Sequence, residues 1–391
     1  MPHTRQKQSI DDQQVLEIET LIIGAGVSGI GAAIRLQKEG MNDFLILEKK
    51  QDLGGSWRDN TYPGCACDVP SALYSYSFAQ NPNWTRAYAR QPEILEYVRD
   101  TAQKFGVLPA IRFDMNVEEA VWDEISCRWE VRTNNGVFHA QTLISCAGYL
   151  HEPIIPNLKG LDAFKGEVFH SSRWNHDANL AGKRVAVIGT GASAIQFVPK
   201  LQPLVSELKI FQRTPQWVLG KYDRRISEKM QNIFNWPFTL NTFRQMLYNY
   251  FELFGFGFRR PKMLSKIQDS ALINLHKVIK DPELRKKLTP DYTIGCKRVL
   301  MSNKYYPALA KPNVEVLATG VKEIKGNVVV GSDGCEKEVD TIILGTGFHV
   351  TDMPMAHCIR VKDGKSLAET WQGSPQAYKG TTVSGFPNLF I

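Results

Sequence analysis

Two short glycine-rich segments restrict the fold of this chain more than any other feature. Each follows an apolar, β-prone run and opens a helical pattern: residues 24–29 read GAGVSG and residues 189–194 read GTGASA. Glycines at these places let the backbone turn sharply and approach a pyrophosphate, whose charge then meets the N-terminus of the helix. The starts of the two segments lie 165 residues apart, the length of a domain rather than of a short repeat. The sequence therefore predicts two dinucleotide-binding folds.

One position distinguishes the two predicted nucleotide sites. Glu48 lies 24 residues after Gly24 at the end of a predicted strand, and Arg213 lies 24 residues after Gly189 at the end of another. An acid at this place suits a free ribose 2′-hydroxyl, whereas a guanidinium suits a 2′-phosphate. The second site should therefore prefer NADPH over NADH, unless Arg213 is only a solvated surface charge.

Composition excludes several other classes of protein. A length of 391 residues suggests two or three domains, and 43% hydrophobic with 22% charged residues is typical of a soluble globule. The net charge of +7 suits anionic ligands, but no basic tract is long enough to indicate nucleic acid. Seven scattered cysteines favour free thiols, and Cys65 and Cys67 lack the second nearby pair of a zinc site. No metal is predicted.

Membrane spans and export signals are not predicted either. No apolar run approaches the length needed to cross a bilayer, and the polar residues 1–19 lack the apolar segment of a signal peptide. The expected location is the cytoplasm.

A third motif follows the first glycine segment. Residues 54–57 read GGSW, residues 62–64 read YPG, and Asp68 comes four residues later. Proline and glycine at the centre of a type II turn would present Asp68 at a fixed angle. Disulfide reductases with two nucleotide folds have a thiol pair where Trp57 and Tyr62 stand here, so dithiol chemistry is disfavoured. Core packing is the alternative role of the two aromatic residues.

The region from 224 to 290 loses the alternation of strands and helices. Asn241 is predicted to cap a helix that ends near Gly255 and Gly257. Its apolar side chains recur at helical spacing: Phe243, Met246, Leu247, Tyr250, Phe251 and Phe254. Three interpretations of this face stay open: ordinary core, a hydrophobic substrate channel, or contact with a membrane surface. The last would be aided by the flanking cations Arg259, Arg260 and Lys262.

Two motifs together resemble one family. The first is the full set from Gly54 to Asp68, and the second comprises Phe164, Gly166, His170 and Trp174 at the family spacing. On both, the chain from about residue 20 to residue 391 resembles the class B flavoprotein monooxygenases, and within them the type I Baeyer–Villiger monooxygenases. Related flavin-containing monooxygenases tend to have Tyr or Phe in place of Trp174, so tryptophan favours the Baeyer–Villiger branch. Asn175 departs from the Pro or Asp that is usual there.

The resemblance implies an α/β fold with two Rossmann-like domains, one for FAD and one for NADP, and an inserted helical subdomain. The strand at 341–344 resembles one that returns the chain to the first domain. The expected parts are 1–150 and 344–391 for FAD, 151–222 and 291–343 for NADP, and 223–290 for the helical insertion. The predicted cofactor-binding residues are Gly24, Gly26, Gly29, Glu48, Gly55, Trp57 and Asp68 for FAD, and Gly189, Gly191, Ser193, Arg213 and Thr214 for NADPH.

The resemblance also implies a reaction. An FAD- and NADPH-dependent monooxygenase would insert one oxygen atom from O2 next to a ketone carbonyl, through a C4a-peroxyflavin, to give an ester or lactone. Arg298 would supply a positive charge at the reacting centre, and Asp68 would hold that partly buried guanidinium. His170, also predicted as catalytic, would with Trp174 govern how the domains move between the two half-reactions. Two alternatives stay open: oxygenation of nitrogen or sulfur, and an FAD-binding protein with only NADPH oxidase activity.

Family members usually continue beyond the motif that here occupies residues 385–391. They add another strand and a Gly-Pro-Asn segment that helps to enclose the flavin. We therefore expect a C-terminally short member, in which ring-side flavin contacts, one wall of the substrate pocket and activity itself are in question.

Overall fold

The computed structural model of the chain describes residues 15–391 and contains both strands and helices throughout. The strands are β1 Leu16–Ile23, β2 Phe44–Leu47, β3 Ile111–Arg112, β4 Val117–Asp123, β5 Arg128–Thr133, β6 Gly136–Ser145, β7 Glu167–His170, β8 Arg184–Ile188, β9 Glu207–Phe211, β10 Val218–Leu219, β11 Leu300–Met301, β12 Val314–Leu317, β13 Val321–Lys325, β14 Val328–Gly331, β15 Glu336–Glu338, β16 Thr341–Leu344, β17 Ile359–Arg360 and β18 Leu389–Phe390. The helices are α1 Val27–Lys38, α2 Ser56–Asp59, α3 Gln91–Lys104, α4 Ala194–Leu201, α5 Glu228–Phe234, α6 Pro237–Gly257, α7 Pro261–Val278, α8 Pro282–Leu288, α9 Tyr305–Leu309, α10 Pro354–Cys358 and α11 Leu367–Trp371.

The chain forms two compact units. The first contains the residues up to Arg58, Val98–Glu152 and His349–Ile391, and the second contains Asp59–Tyr97 and Pro153–Phe348. Both units are therefore discontinuous in sequence.

The borders of the units differ from the expected ranges in two places. Residues 59–97, which carry Asp68, belong to the second unit rather than to one uninterrupted segment 1–150. They are held there by hydrogen bonds such as those from the backbone amide of Ala87 to the carbonyl of Arg224. The second difference is at the C-terminal border, which lies after Phe348 rather than after residue 343.

The first unit is built on an eight-stranded sheet with the order β17-β4-β5-β6-β1-β2-β3, in which β18 also pairs with β6. β1 pairs in parallel with β2 and with β6, so residues 21–23 are buried by strands on both sides. On α1, Ile30, Ala33 and Ile34 are fully buried. Burial of each large apolar side chain contributes about 1.5–3 kcal/mol. The predicted strand, turn and helix at the first glycine segment are all present.

The second unit contains a five-stranded parallel sheet with the order β12-β9-β8-β16-β7. In it, β16 pairs with β8 and β7, with Leu344 opposite Ile188 and His170. The strand expected to return the chain to the first domain itself completes the sheet of the second unit, and the chain enters the first unit shortly afterwards, at His349. Helices α5 to α8, which correspond to the predicted insertion, belong to the same unit.

Candidate functional site

The first glycine turn packs so closely against neighbouring backbone that a side chain would not fit at Gly24 or Gly29. Gly24 has φ +100°, and a Cβ there would lie 2.6 Å from the carbonyl oxygen of Cys146. A Cβ on Gly29 would lie 1.9 Å from the carbonyl oxygen of Gly24. Gly26 and Gly55 also approach each other closely, since a Cβ on Gly55 would lie 3.1 Å from the Cα of Gly26. This bare turn before α1 has the geometry with which a helix N-terminus receives a pyrophosphate.

Glu48 lies at the end of β2 and is only 4% exposed. Its Oε2 accepts a hydrogen bond of 3.0 Å from the amide of Ala25, within the glycine turn. Its Oε1 accepts bonds from the amide of Lys50 and from Arg58 Nη1, each 3.0 Å. A buried carboxylate needs such compensation, and its remaining lone pairs can still accept from a ribose hydroxyl. Arg58 was not predicted, although it lies one residue beyond the motif that contains Trp57.

Gly55 directly precedes the short helix α2, and Trp57 lies within it. The amide of Trp57 bonds to the carbonyl of Gly54 at 3.1 Å, and its side chain is half-buried. Tyr62, by contrast, is buried and packs edge-on against Phe197. For Tyr62 the core-packing interpretation is therefore supported.

The second glycine turn repeats the close approach of the first. Gly189 has φ +101°, and a Cβ there would lie 2.4 Å from the carbonyl oxygen of Gly345. Space is open beside Gly191, where an added Cβ would meet nothing described within 4 Å. Ser193 occupies the N-cap position of α4 and makes no capping bond with its side chain. The amides of Ile195 and Gln196 already bond to the carbonyls of Gly191 and Ser193, so an anionic group would be received by the amides that precede them.

Arg213 and Thr214 follow β9 directly. Arg213 is exposed. The carbonyl of Thr214 accepts a bond of 3.4 Å from Thr190 Oγ1, which ties this loop to the second glycine turn. The two places that the sequence assigns to one nucleotide are thus neighbours in the fold, and an exposed guanidinium beside them fits a 2′-phosphate.

The YPG motif forms the predicted type II turn. The amide of Cys65 bonds to the carbonyl of Tyr62 at 3.1 Å, and Gly64 has φ +88°. A Cβ on Gly64 would lie 2.7 Å from the carbonyl oxygen of Gln196, so α4 leaves room for glycine alone.

Gln196 of α4 anchors the chain that leaves this turn. Its Nε2 donates to the carbonyl of Ala66 at 3.0 Å, while its Oε1 accepts from the amide of Ala66 at 3.1 Å and from Tyr62 Oη at 3.0 Å. The helix of the second glycine motif therefore holds the loop that leads to Asp68. The sequence contains no signal for this contact, which joins residues 130 positions apart.

Asp68 and Arg298 are paired, as predicted. Arg298 Nη2 and Nε both donate to Asp68 Oδ2, at 2.5 and 3.2 Å. The side chain of Arg298 is 65% exposed, so the expectation of a partly buried guanidinium is wrong. An exposed pair of this kind adds at most about 1 kcal/mol to stability. The pair serves mainly to orient the guanidinium of Arg298, because both of its hydrogen bonds run to one oxygen of Asp68.

Arg298 lies on the wall of a cavity of about 1690 Å³ within the second unit. The aromatic and aliphatic side chains that line it include Trp84, Tyr88, Phe234, Leu240, Phe243, Leu247, Tyr250, Phe251, Phe254 and Phe258. Most of them come from one face of α6. The interpretation of this face as ordinary core is wrong, since only Leu240 and Gly257 of α6 are buried.

The start of α6 also differs from the prediction. Trp236 is the N-cap residue and Pro237 the first helical residue, so Asn241 lies inside the helix and does not cap it. Proline suits this place because the missing amide would have no partner within the helix. Asp281 is the N-cap residue of α8, where its side chain accepts from the amide of Glu283 at 3.0 Å.

Lys221, a second cation on the cavity wall, was missed in the sequence. Its Nζ donates to the carbonyl of Cys67 at 2.8 Å and lies 4.5 Å from the ring centroid of Tyr88. Burial lowers the pKa of this ammonium group, and the negative charges of Asp223 and Asp68 oppose that shift. The residue before Asp68 is therefore held by a charged donor.

His170 is 3% exposed at the end of β7. Its Nδ1 accepts from the amide of Ser172 at 3.1 Å, and its ring lies edge-on to Phe348 at 5.6 Å. Burial lowers the pKa of His170 to about 4, which keeps the imidazole neutral near pH 7. Trp174 packs against Phe169 and Phe197 at 5.1 and 5.4 Å between ring centroids.

Close packing against the backbone explains why the same motif has glycine at position 166. A Cβ there would lie 2.1 Å from the carbonyl oxygen of Asp340, where β7 begins. The motif from Phe164 to Trp174 therefore builds the edge of the second sheet, and none of its members lies on the cavity wall.

Residues 18–366 match the family described as flavin-binding monooxygenase-like. The chain belongs to this family. It is 50% identical over 382 residues to a Baeyer–Villiger monooxygenase of Streptomyces coelicolor, covering 97% of this chain and 74% of that protein. It is 49% identical over 374 residues to a Baeyer–Villiger monooxygenase of Pseudomonas aeruginosa, covering 95% and 71%.

Solved structures of similar proteins contain the predicted cofactors. A complex of OTEMO with FAD and NADP has a TM-score of 0.85 and 30% identity, over 96% of this chain and 80% of that one. A cyclohexanone monooxygenase with bound ε-caprolactone has a TM-score of 0.83 and 28% identity, over 96% and 82%. The predictions of an α/β fold, of a flavoprotein monooxygenase of Baeyer–Villiger type and of FAD and NADPH as its cofactors are confirmed.

Two further predictions concern metals and membranes. Among residues 15–391, no group of three or more His, Cys, Asp or Glu side chains is arranged to hold a metal ion. None of the helices in that range combines the length and the apolar character needed to cross a bilayer.

Proposed function

We propose that this monooxygenase uses NADPH and O2 to insert an oxygen atom next to the carbonyl of a hydrophobic ketone. The observation that carries the proposal is the Asp68–Arg298 pair on the wall of an aromatic cavity. The overall reaction converts ketone, O2, NADPH and H⁺ to an ester or lactone, NADP⁺ and water, which balances atoms and electrons.

The two glycine turns would hold the two cofactors. FAD would lie at Gly24, Gly26 and Gly29 with Glu48 at a ribose, and NADPH would lie at the second turn with Arg213 at the 2′-phosphate. The close backbone approaches at both turns fit this assignment. When bound, NADPH supplies the reducing equivalents and the flavin activates O2.

Arg298 would be the catalytic cation. A guanidinium stays charged at any physiological pH and stabilises negative charge that develops on oxygen during the reaction. Asp68 would act as a positioning residue, because both of its bonds to Arg298 run to one oxygen and restrict the direction of the donor plane. Gln196 and Lys221 bond to the two residues before Asp68, which are Ala66 and Cys67.

The cavity would determine the kind of ketone. Its walls combine nine aromatic side chains with five cations, which are Lys221, Arg224, Arg225, Lys297 and Arg298. Such a lining favours a bulky apolar substrate whose one polar group, the carbonyl, turns to the guanidinium. Exclusion of water by the same walls would limit release of hydrogen peroxide.

His170 and Trp174 would govern movement between the half-reactions rather than contact the substrate. The chain passes from one unit to the other next to Pro153 and next to Phe348, which form a β-bridge with each other. The ring of His170 packs on Phe348 at that place. A neutral, buried imidazole would therefore support two of the four places where the chain passes between the units.

A product analysis tests the proposal. The protein is purified with FAD and supplied with NADPH and O2, and yields of ester, sulfoxide and hydrogen peroxide are compared on matched ketones and thioethers. We expect ester as the main product. Sulfoxide as the main product would favour oxygenation of sulfur instead, and peroxide alone would show an NADPH oxidase.

The cytoplasm is the proposed location. Seven cysteines, all present as free thiols, are typical of a reducing compartment. Cell fractionation with a cytoplasmic and an extracytoplasmic marker tests this, and recovery with the extracytoplasmic marker would contradict it.

A further inference from the structure

Helix α6 is apolar on two opposite faces. One face, with Leu247, Phe251 and Phe254, lines the cavity. The opposite face carries Phe238, 80% exposed, Met246, 66% exposed, and Leu253, 70% exposed. At 100° per residue these three lie within one third of the helix circumference, together with Phe256. We call these four residues the outer stripe.

The outer stripe is unusual for a surface helix. The face that points away from the core of a globular protein normally carries charged side chains. On α1 the exposed residues are Ser28, Arg35 and Lys38, as that rule requires. On α6, in contrast, Glu252 is the one exposed charged residue among 21 helical residues. Arg244, the other charged residue, points inward and donates to the carbonyl of Ala72 at 2.5 Å.

The segment that contains the outer stripe is rich in cations. Residues 223–290 contain thirteen lysines and arginines against six aspartates and glutamates, a net charge of +7. The whole chain also has +7, so the charges of all other residues cancel. Arg259 and Arg260 directly after α6, and Lys262 and Lys266 on α7, are exposed.

One cation–π contact connects a basic residue to the outer stripe. The guanidinium carbon of Arg260 lies 4.6 Å from the ring centroid of Phe256, at the C-terminal end of α6. At the other end, Trp236 is 73% exposed. Tryptophan and basic residues at the borders of an apolar helix face are typical of helices that lie in the interfacial layer of a membrane.

We propose that α6 and the start of α7 dock on the surface of an anionic lipid bilayer, with the outer stripe among the upper acyl chains and the cations at the phosphates. The helix would lie in the plane of the interface, since it lacks the apolar length to cross. A second copy of the chain fits this face less well, because two surfaces of net positive charge would repel each other. Apolar substrates enriched in a bilayer would then be delivered close to the aromatic cavity.

A vesicle flotation experiment tests the docking. The full chain, purified with FAD, is mixed with vesicles of phosphatidylcholine alone or of phosphatidylcholine with phosphatidylglycerol. We expect binding to the vesicles that contain phosphatidylglycerol, weakened by raised salt because screening shortens the reach of the cations. The double variant Phe238→Gln/Leu253→Gln should bind at least roughly tenfold more weakly, because two apolar side chains that would be buried in the bilayer are lost. Arg259→Gln/Arg260→Gln should lose the preference for anionic vesicles.

Matched variants control for general effects. Ile125→Gln removes an apolar side chain that is 86% exposed in the first unit, and Lys311→Gln/Lys322→Gln removes two exposed cations outside residues 223–290. Both should bind like the wild type, and circular dichroism should show all variants folded. Equal binding to both kinds of vesicle, no binding to either, or equal losses in the control variants would overturn the proposal. A dimer in light scattering that Phe238→Gln/Leu253→Gln dissolves, without vesicle binding, would identify the stripe as a contact between copies instead.

Discussion

Lys221 donates a hydrogen bond of 2.8 Å to the carbonyl oxygen of Cys67, the residue immediately before Asp68. The two partners lie 154 residues apart in sequence. Together with the contact of Gln196 to Ala66, this bond holds the two residues that lead to the Asp68–Arg298 pair.

Loss of Lys221 should therefore lower the fraction of consumed NADPH that yields ester more than it slows flavin reduction. In Lys221→Met the carbonyl of Cys67 loses its charged donor, a loss of about 1–3 kcal/mol for a buried group. We expect the ratio of ester formed to NADPH consumed to fall several-fold while flavin content is kept. Lys229→Met, an exposed lysine of the same unit, is the control. An unchanged ratio in Lys221→Met would contradict the positioning role.

Arg298→Ala should impair oxygenation of the ketone while leaving reduction of the flavin largely unaffected. Reduction of bound flavin by NADPH should stay largely intact in a stopped-flow measurement, whereas ester formation should fall by about 100-fold or more, as for loss of a donor to a developing oxyanion. Arg132→Ala is a control with an exposed arginine of the first unit. Normal ester formation by Arg298→Ala would refute the catalytic assignment.

Arg213→Ala tests the preference for NADPH. A charge-assisted bond to the 2′-phosphate is worth about 1.5–3 kcal/mol, so the KM for NADPH should rise roughly 10- to 100-fold and that for NADH should change little. Lys183→Ala, an exposed cation next to β8, should alter neither KM. Equal effects on both coenzymes would show that Arg213 does not contact the phosphate.

Gly29→Ala should prevent proper closure of the first glycine turn. The new Cβ would lie 1.9 Å from the carbonyl oxygen of Gly24, so the backbone must shift, at a cost of about 3 kcal/mol or more. We expect loss of bound FAD and a lower melting temperature. Gly255→Ala, where nothing described lies within 4 Å, is the matched control and should keep its FAD. Full flavin content in Gly29→Ala would contradict the assigned turn.

The low pKa of His170 makes the stability of the fold depend on pH. Its folded pKa of about 4 lies below the ordinary value of 6.5, so between these values the unfolded chain binds the extra proton. Lowering the pH from 6.5 to 4 should therefore destabilise the wild type relative to His170→Gln, with a slope of up to about 1.4 kcal/mol per pH unit. Above pH 7 the difference should be constant. Denaturant unfolding at pH 5 and pH 8 measures it, and parallel pH profiles would show that His170 titrates normally.

His170→Ala also tests the proposed role in movement. Both flavin reduction and oxygenation should slow in pre-steady-state kinetics, since the imidazole packs on Phe348 where the chain leaves the second unit. Phe348→Leu, which keeps an apolar contact, should have a smaller effect on both steps. A change confined to the KM of the ketone would instead favour direct contact with substrate.

The local sequence was sufficient to predict those strands, helices and turns whose stabilising contacts lie between residues close together in the chain. Apolar runs followed by glycine turns predicted β1 and β8 with their helices, and the turn at Tyr62 followed from Pro63 and Gly64 alone. The resemblance added the pairing of Asp68 with Arg298, which spans 230 residues and which composition and spacing do not reveal.

Where contacts are distant, the sequence was insufficient or misleading. Proline at the start of α6 outweighed Asn241 as a start signal, and the apolar residues on both faces of α6 concealed which face lines the cavity. The sequence by itself determined the two nucleotide folds and the family, because glycine turns and strand patterns depend on neighbouring residues. Only the tertiary structure decided that Gln196 and Lys221 hold the Asp68 loop, that Arg298 is exposed, and that residues 59–97 join the second unit. Those features depend on side chains that packing brings together from distant parts of the chain.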